Sequence, residues 1–311
     1  KGINVQSLDA DPTAVEGDVW YNASTAKLKM YTYAAGTWAS GGNLNTARQY
    51  VCQGAGTQTA GLCVAGYTNP PQVFKDEVES YDGSSWTEVA DINTARSQAG
   101  ATGGNSPNTA ALIFGGYSTG NTFHAHVESW DGSSWTEIAD LNTERYGPSG
   151  GGTQTAAIAA AGEPTTARTE IWDGSSWTEV GDQNDARASG QGEAGTSTSF
   201  ILAGGAPGHK DVSETWDGSS WTEGNNLNTG QSVPTAHVTC GQTGGGRVAI
   251  TEAYDGTSWA EVADVATARS YAGSTGTGNA GILFSGSQGP GGVANTYEWT
   301  SAIAAQTIAF D

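Results

Sequence analysis

The chain has 311 residues, 46 of them glycine, and its 12 Lys and Arg against 32 Asp and Glu give a formal net charge of −20. This acidic balance argues against a nucleic-acid partner, because such binding depends on neutralising phosphates, and no apolar run reaches the roughly 20 residues that span a bilayer. High charge with few aliphatic residues is typical of disorder, but 11 Trp and 11 Tyr supply large buried areas. We therefore expect a folded chain of strands and turns, without membrane insertion.

Residues 1–44 predict an N-terminal β segment. Two aromatic-rich runs, 18–22 and 27–33, are separated by a short polar stretch and indicate a hairpin. A segment common in bacteriophage tail-fibre and virion-surface proteins resembles the pattern formed here by Pro12, Gly17, Asp18, Trp20, Tyr21, Asn22, Leu28, Tyr31, Gly36 and Trp38. The resemblance implies a place on a virion surface for this part of the chain.

The rest of the chain is dominated by a repeated motif. Its clearest copies are YDGSSWTEVADINTAR from Tyr81 and WDGSSWTEIADLNTER from Trp130, and further copies begin at Trp172, Trp216 and Tyr254. With a shortened copy from Tyr33, the spacings between successive motif tryptophans are 48, 49, 42, 44 and 38 for Trp38, Trp86, Trp135, Trp177, Trp221 and Trp259. Periods of roughly 40–50 residues indicate propeller-type repeats.

Each repeat has the pattern of four antiparallel strands, named a to d here. Asn-Thr-Ala-Arg is followed by a Gly-rich stretch and by a short apolar run ending in glycine, as in 110–116 and 200–205, which suits a strand covered on both faces. A variable loop, Val-Glu-Ser-Trp, an Asp-Gly turn and Trp-Thr-Glu-Val complete the unit. Asp-Gly between two strands is a strong hairpin signal because the turn needs positive φ.

These features resemble kelch repeats. Glycine closes strand b, an acidic residue and an aromatic lie in strand c, and tryptophan opens strand d. The resemblance implies an all-β, kelch-like β-propeller over residues 45–311, separate from the segment 1–44. Six Asn-Thr-Ala-Arg-like segments favour six four-stranded blades. Seven blades are the alternative, because seven aromatic c–d signatures exist if the N-terminal copy is counted. The runs 18–22, 27–33 and 306–310 can build a mixed seventh blade or a closure in which N-terminal strands complete the last blade.

The b–c loops are the predicted binding surface. They vary widely between repeats, whereas the Asp-Gly-Ser-Ser turns hardly vary, and variable loops on a repeated scaffold usually carry recognition. Aromatic rings and cations in these loops suit sugar stacking or anion capture. The candidate binding residues are Phe74, Lys75, Tyr117, Phe123, His124, His209 and Lys210.

The d–a loops of the same face carry a set of arginines at the predicted channel mouth. They are Arg48, Arg96, Arg145, Arg187 and Arg269, with Gln231 in the remaining repeat. Arginine suits bidentate capture of a carboxylate or sulfate. The alternative, which the repetition favours, is that each arginine makes a structural ion pair with an Asp or Glu of a neighbouring blade.

Metal, redox and catalytic chemistry find little support in the sequence. His124 and His126 can place two imidazoles on one face of an extended segment, but no third metal ligand accompanies them. Cys52 and Cys63 lie symmetrically in one predicted a–b hairpin, either as a cross-strand disulfide or as free buried thiols. No set of residues matches a propeller oxidase or sialidase site, and the sequence predicts neither an enzyme nor a bound cofactor.

The predicted function is that of a non-enzymatic structural and receptor-binding module on a virion or cell exterior, a bacteriophage tail-fibre or capsid-surface component. The expected partners are other subunits of an oligomeric surface assembly and a cell-surface glycan or protein receptor. A secreted carbohydrate-active or oxidase-type propeller enzyme is the alternative.

Overall fold

The computed structural model describes residues 6–10, 19–33, 36–188, 194–232, 238–239, 242–243, 246–301 and 303–307. Every strand or helix assigned in these ranges is a β-strand, which confirms the predicted all-β class. No helix among the described residues is long and apolar enough to cross a membrane. The chain divides into two compact units, Lys1–Thr37 with Thr300–Asp311, and Trp38–Trp299.

The first unit contains one four-stranded sheet, with strands in the order Gln6–Leu8, Val19–Asn22, Lys27–Tyr33 and Ile303–Thr307. The first pair is parallel and the other two pairs are antiparallel. Asn22 stabilises the predicted hairpin, because its buried Oδ1 accepts hydrogen bonds from the Thr25 amide at 3.0 Å and from the Ser24 hydroxyl at 2.8 Å. Strands from the two ends of the chain thus form a sheet of their own.

The second unit contains six larger sheets, taken here in chain order. The first sheet has the strands Ala55–Thr57, Ala60–Thr68, Val73–Tyr81 and Trp86–Val89. The second sheet has the strands Gly100–Ala101, Ala111–Phe114, Val127–Trp130 and Trp135–Ile138. The third sheet has the strands Ser149–Thr153, Ala156–Ala160, Thr169–Trp172 and Trp177–Glu179.

The remaining three sheets follow the same order of strands. The fourth sheet has the strands Ala194–Thr196, Ser199–Ala203, Ser213–Trp216 and Trp221–Glu223. The fifth has three described strands, Val238–Thr239, Thr251–Tyr254 and Trp259–Val262. The sixth has the strands Gly273–Gly276, Ala280–Phe284, Thr296–Thr300 and Thr37–Ser40. Two short hairpins are formed by Tyr117–Ser118 with Thr122–Phe123 and by Gln242–Thr243 with Gly246–Arg247.

The sixth sheet takes its outer strand from the N-terminal side of the chain. Thr37–Ser40 lies at the edge next to Thr296–Thr300, where the other sheets place the strand that follows their Asp-Gly turn. The residues predicted as part of segment 1–44 therefore divide between the two units. One of the two expected arrangements, an N-terminal strand completing the last sheet, is present in the structure, and a separate mixed sheet accompanies it.

Apolar clusters join successive sheets. Leu112 and Phe114 of the second sheet pack with Ala157 and Trp177 of the third, and corresponding clusters join the other neighbouring sheets. The sixth sheet packs against the first, where the Phe284 ring meets the Trp86 ring edge to face at 5.2 Å. Strands such as Ala111–Phe114 are thus buried on both faces.

The innermost strands of non-neighbouring sheets also touch. Gln53 Nε2 donates to the Gly150 carbonyl at 2.7 Å, and Asn105 Nδ2 donates to the Gly195 carbonyl at 2.6 Å. A Cβ on Gly104 would overlap the carbonyl oxygen of Gly276. The high glycine content is needed here, because backbones of sheets that are not neighbours in the chain approach one another without room for side chains.

The Asp-Gly-Ser-Ser turns are held by the aspartate. Asp82 Oδ1 accepts hydrogen bonds from the backbone amides of Ser85 at 2.8 Å and Ser84 at 2.9 Å, and both serine hydroxyls donate to the same carboxylate. Gly83 has a φ of +93°, which confirms the predicted turn. The same pair of amide bonds to aspartate recurs at Asp131, Asp173, Asp217 and Asp255.

We predict that the protein loses stability in acid because the aspartates of these turns become protonated. Hydrogen bonds from the serine amides and hydroxyls lower the pKa of Asp82, Asp131 and Asp217 to about 2, from an ordinary value of 3.8. A lowered folded-state pKa gives stability that is present above pH 3.8 and is lost as pH falls through about 2. We expect the melting temperature of the wild type to fall more steeply over this window than that of the triple variant Asp82→Asn, Asp131→Asn and Asp217→Asn.

Tryptophan fluorescence melts between pH 5 and pH 2 measure this difference. A variant carrying Glu88→Gln, Glu137→Gln and Glu223→Gln, all exposed, removes the same number of charges outside the turns and serves as the control. If the two variants show the same pH profile, net charge rather than the turn carboxylates sets the acid response.

Candidate binding site

The repeated arginines lie inside the protein. Arg48 is buried, and its Nη2 donates to Glu79 Oε1 at 3.0 Å. The other oxygen of Glu79 accepts from the backbone amide of Asn45 at 2.7 Å and from its side-chain amide at 3.0 Å. Asn45 Nδ2 also donates to the Trp86 carbonyl. The Asn-Thr-Ala-Arg segment is thereby attached to strands c and d of the sheet that follows it.

The same network recurs in three further repeats, as Asn93, Arg96 and Glu128, then Asn142, Arg145 and Glu170, then Asn184, Arg187 and Glu214. Each of the two remaining repeats replaces one member of the ion pair. Gln231 replaces arginine where Asn228 still binds Glu252. In the sixth sheet Tyr297 replaces the glutamate, and the Arg269 guanidinium lies 4.6 Å from the centre of its ring.

The five arginines therefore have buried structural contacts in the described protein. Their exposed fractions are 0–1%, and four of them pair with a glutamate of the following sheet. The repetition in the sequence favoured a structural ion pair for these arginines over capture of a ligand at a channel mouth. The geometry supports the ion pair. The glutamate belongs to the sheet that follows the arginine along the chain.

The basic candidates of the b–c loops are also engaged. Lys75 Nζ lies 2.7 Å from Glu77 Oε1, and Lys210 Nζ lies 2.8 Å from Asp185 Oδ2. His124 is buried, and its Nε2 lies 2.8 Å from the Ser118 hydroxyl. Its pKa is lowered to about 4, chiefly by burial and then by the charges of His126 and Arg96.

Neither the histidine pair nor the cysteines form a larger constellation. The His124 and His126 rings lie 5.0 Å apart, but the described residues contain no group of three or more His, Cys, Asp or Glu placed to hold a metal. Cys52 and Cys63 are buried free thiols, and burial raises the pKa of each to about 11. The sequence allowed either a disulfide or free buried thiols, and in the structure the two thiols are free.

A belt of backbone hydrogen bonds joins the sheets at the end where the b–c and d–a loops lie. The Tyr50 amide donates to the Tyr271 carbonyl at 3.1 Å, the Gln98 amide to the Tyr50 carbonyl at 3.1 Å, and the Gly147 amide to the Gln98 carbonyl at 2.8 Å. Each belt residue comes two positions after a repeat arginine. The equivalent positions 189 and 233 lie outside the described residues.

All four belt residues have left-handed backbone, with φ of 52° at Tyr50, 51° at Gln98, 62° at Gly147 and 56° at Tyr271. In this conformation the amides of Gln98 and Gly147 point to the belt residue that precedes the previous sheet, and the amide of Tyr50 points to Tyr271. Glycine adopts this conformation at least cost. A side chain there costs about 1–2 kcal/mol. Large side chains held in a strained backbone are a feature of functional sites, so the two tyrosines and the glutamine point to a site at this end.

Seven aromatic rings lie in contact beside the belt. The first part is a stack in which the Tyr50 ring lies 3.6 Å from Tyr271 and 4.8 Å from Tyr67, nearly parallel to both. The contacts then run from Tyr67 through Phe74 to Tyr117, and from Tyr117 to Tyr146 at 5.2 Å. Phe123 ends the series, 5.0 Å from Tyr146. We call these seven rings the aromatic chain.

A cavity of about 580 Å³ opens onto this chain, within the roughly 300–1,000 Å³ usual for small-ligand sites. We call it the basin, and its lining comes from segments that belong to all six sheets. The lining residues are Tyr50, Tyr67, Gln98, Tyr117, Asn121, Phe123, Tyr146, Glu163, Ala206, Ser232 and Tyr271.

The described lining of the basin has one ionisable carboxylate, Glu163, and no lysine, arginine or histidine. Burial raises the pKa of the Tyr67 hydroxyl. It also raises the pKa of Tyr50, with a hydrogen bond to Tyr271, and that of Tyr146, with the charge of Glu163. These phenols remain protonated at neutral pH and can donate hydrogen bonds to a ligand.

The sequence anticipated part of this site. Tyr117 and Phe123 line the basin, and Phe74 belongs to the aromatic chain. Lys75, His124, His209 and Lys210 are not among the described lining residues. The residues that sequence reasoning missed are Tyr50, Tyr67, Tyr146 and Tyr271. The sequence did contain a pattern that could have identified them. Tyr50, Tyr146 and Tyr271 lie one or two positions after a repeat arginine, and Tyr67 directly follows the glycine of strand b, whereas most repeats have small or polar residues at these positions.

No protein-family model matches the chain, and no curated protein matches it. The functional argument therefore starts from the geometry of the basin, from the contacts among the sheets and from the residue patterns of the repeat and the N-terminal segment.

Proposed function

We propose that the second unit is a six-bladed, kelch-like β-propeller that acts as a non-enzymatic receptor-binding module. Six sheets in sequence, each packed on the next and the sixth packed on the first, support the ring. Contacts such as Gln53 to Gly150 and Asn105 to Gly195 support a common axis on which the inner strands converge. Small residues are expected at an axis where strands crowd together.

The basin is the observation that supports binding. It lies at the end where the d–a and b–c loops are found, and each of the six sheets contributes at least one of these loops to its described lining. Aromatic side chains with a few polar groups are typical of ligand sites. Tyr50, Gln98 and Tyr271 stand in left-handed backbone, whereas Gly147 fills the equivalent place in the third sheet. Since the belt is made by backbone atoms alone, these side chains are best explained by contact with a ligand.

The N-terminal segment supports a virion exterior. The pattern around Trp20 resembles a segment of bacteriophage tail-fibre and surface proteins, and Trp20 is buried in the sheet of the first unit. We place the module on a phage tail fibre or capsid surface, in an oligomeric assembly with other subunits. Immunogold labelling of intact particles tests this placement, and particles that carry no label contradict it.

We expect the double variant Tyr117→Ala with Phe123→Ala to lose at least about tenfold in affinity for bacterial cells, because truncation of central aromatic anchors typically costs 2 kcal/mol or more. Binding of fluorescently labelled protein to a panel of bacterial strains, followed by flow cytometry, measures the change. Both residues lie on one short hairpin, so the melting temperature should change little.

Val73→Ala is the matched control, because Val73 is 45% exposed, precedes Phe74 and is not a lining residue. Unchanged cell binding by the double variant, with loss only when the Asp-Gly-Ser-Ser turns are altered, would place the site on the opposite face. Turnover of a glycan or alcohol by the purified protein, abolished by a single substitution, would overturn the non-enzymatic assignment.

A further inference from the structure

One wall of the basin consists of aromatic rings inclined to one another, by 48° between Tyr117 and Tyr146 and by 50° between Phe123 and Tyr146. Tyr146 contacts both Tyr117 and Phe123, with ring centres 5.2 and 5.0 Å apart. The exposed faces of these rings suit a ligand with an apolar face of its own, and a pyranose ring presents a face of C–H bonds.

The polar groups of the basin match hydroxyls. Gln98 and Asn121 offer amide donors and acceptors, and the tyrosine phenols remain protonated. A sugar hydroxyl both donates and accepts, so neutral amides and hydroxyls satisfy it in either role. This mixture of apolar wall and neutral polar rim fits a saccharide better than a purely apolar ligand.

The charges of the basin disfavour an anionic ligand. Glu163 is the one charged residue of the described lining, and the chain as a whole has a net charge of −20. The two lysines of the nearby loops are already paired, Lys75 with Glu77 and Lys210 with Asp185. A sialic acid, uronate or sulfate group would lose hydration without gaining a counter-ion.

The far end of the axis is covered by backbone. Gly104 packs on the Gly276 carbonyl, and Asn105 Nδ2 bonds to the Gly195 carbonyl, both at the a–b turns opposite the basin. Between these contacts and the belt lies Gln53, whose amide bonds to Gly150 and Ala101. Among the described residues the basin is thus closed toward the axis, and a cavity of about 580 Å³ that opens at the loop end has room for the terminal residue of a glycan.

We propose that the basin binds the terminal residue of a neutral saccharide and discriminates against anionic sugars. This inference rests on the proposed function of the basin as the receptor site, and it names the ligand class. Tyr117, Tyr146 and Phe123 provide the stacking surface, and Gln98 and Asn121 bind the hydroxyls. Glu163 accepts a hydrogen bond from a neutral sugar and repels a carboxylate.

A glycan array carrying neutral oligosaccharides and their sialylated and sulfated counterparts tests the ligand class. We expect binding to neutral glycans in which one sugar is terminal, at least about tenfold weaker binding when that sugar is covered by another, and at least about tenfold weaker binding to the anionic counterparts. Tyr146→Ala should weaken neutral binding by a similar factor, and Val73→Ala should leave it unchanged.

Glu163→Gln tests the electrostatic part, because it keeps the shape of the side chain and removes its charge. We expect this variant to bind the neutral glycan and to lose part of its discrimination against the anionic one, as measured by calorimetry with a matched pair from the array. An unchanged ratio of affinities would contradict the role of Glu163.

The array also separates this inference from the proposed function. If no neutral glycan binds, or if anionic or quaternary-ammonium probes bind better, the ligand class is wrong. The basin nevertheless remains the receptor site if Tyr117→Ala with Phe123→Ala abolishes cell binding. If that double variant binds cells as the wild type does, the receptor site itself is wrong.

Discussion

Replacing Glu128 with alanine is expected to lower the free energy of unfolding by about 3–5 kcal/mol, because it leaves a buried charge without its partner. Arg96 Nη1 lies 2.5 Å from Glu128 Oε1, and both side chains are almost fully buried. The substitution also removes the acceptor for both amide groups of Asn93. Urea denaturation at pH 7, followed by tryptophan fluorescence, measures the loss.

Glu137→Ala is the matched control for this experiment. Glu137 pairs directly with Glu128 across the c–d hairpin but is exposed, and exposed substitutions usually change stability by less than about 0.5 kcal/mol. Adding Arg96→Gln to Glu128→Ala should recover part of the loss, because the uncompensated charge is then gone. Equal effects of Glu128→Ala and Glu137→Ala would show that the network does not stabilise the fold.

Trp221→Ala is expected to cost about 3–5 kcal/mol, as truncation of a buried aromatic usually does. Trp221 opens strand d of the fourth sheet and packs against Phe200 and Trp216. Its Nε1 donates to the Thr169 hydroxyl of the third sheet at 2.9 Å, so it links two sheets. Urea denaturation again gives the measurement.

A pair of phenylalanine variants isolates the hydrogen bond. Trp177 occupies the equivalent place in the third sheet, but the second sheet has Val127 where the third has Thr169, and the Trp177 Nε1 is buried with no hydrogen-bond partner in the described structure. Trp221→Phe should therefore cost about 1 kcal/mol more than Trp177→Phe. Equal losses from the two variants would mean that the bond to Thr169 contributes nothing.

The sheets could be predicted because the same pattern of strands and turns recurs in each copy of the repeat. Asp-Gly turns, buried strands such as Ala111–Phe114 and the motif tryptophans all occur where the pattern indicates. The outer strand of the sixth sheet was one of two expected arrangements. Thr37–Ser40 resembles a strand d in sequence, but only the three-dimensional pairing with Thr296–Thr300 selects its sheet.

The basin was harder to predict. Local propensity favours glycine in left-handed backbone, so nothing in the sequence around Tyr50 or Tyr271 indicates that conformation. The belt that requires it joins residues far apart in the chain. The loop lysines were predicted to take part in binding, but each is engaged in an ion pair. Glu77 lies only two residues from Lys75, whereas Asp185 becomes a neighbour of Lys210 only in the folded chain.

The pairing of Thr37–Ser40 with Thr296–Thr300 also sets an order of events on the ribosome. Thr296–Thr300 is translated about 260 residues after Thr37–Ser40. At roughly 5–20 residues per second the first strand therefore waits on the order of tens of seconds for the second. During that time Thr37–Ser40 lacks its place in a sheet, and unpaired strands are prone to aggregate. The sixth sheet can therefore be completed only after almost the whole second unit has been translated.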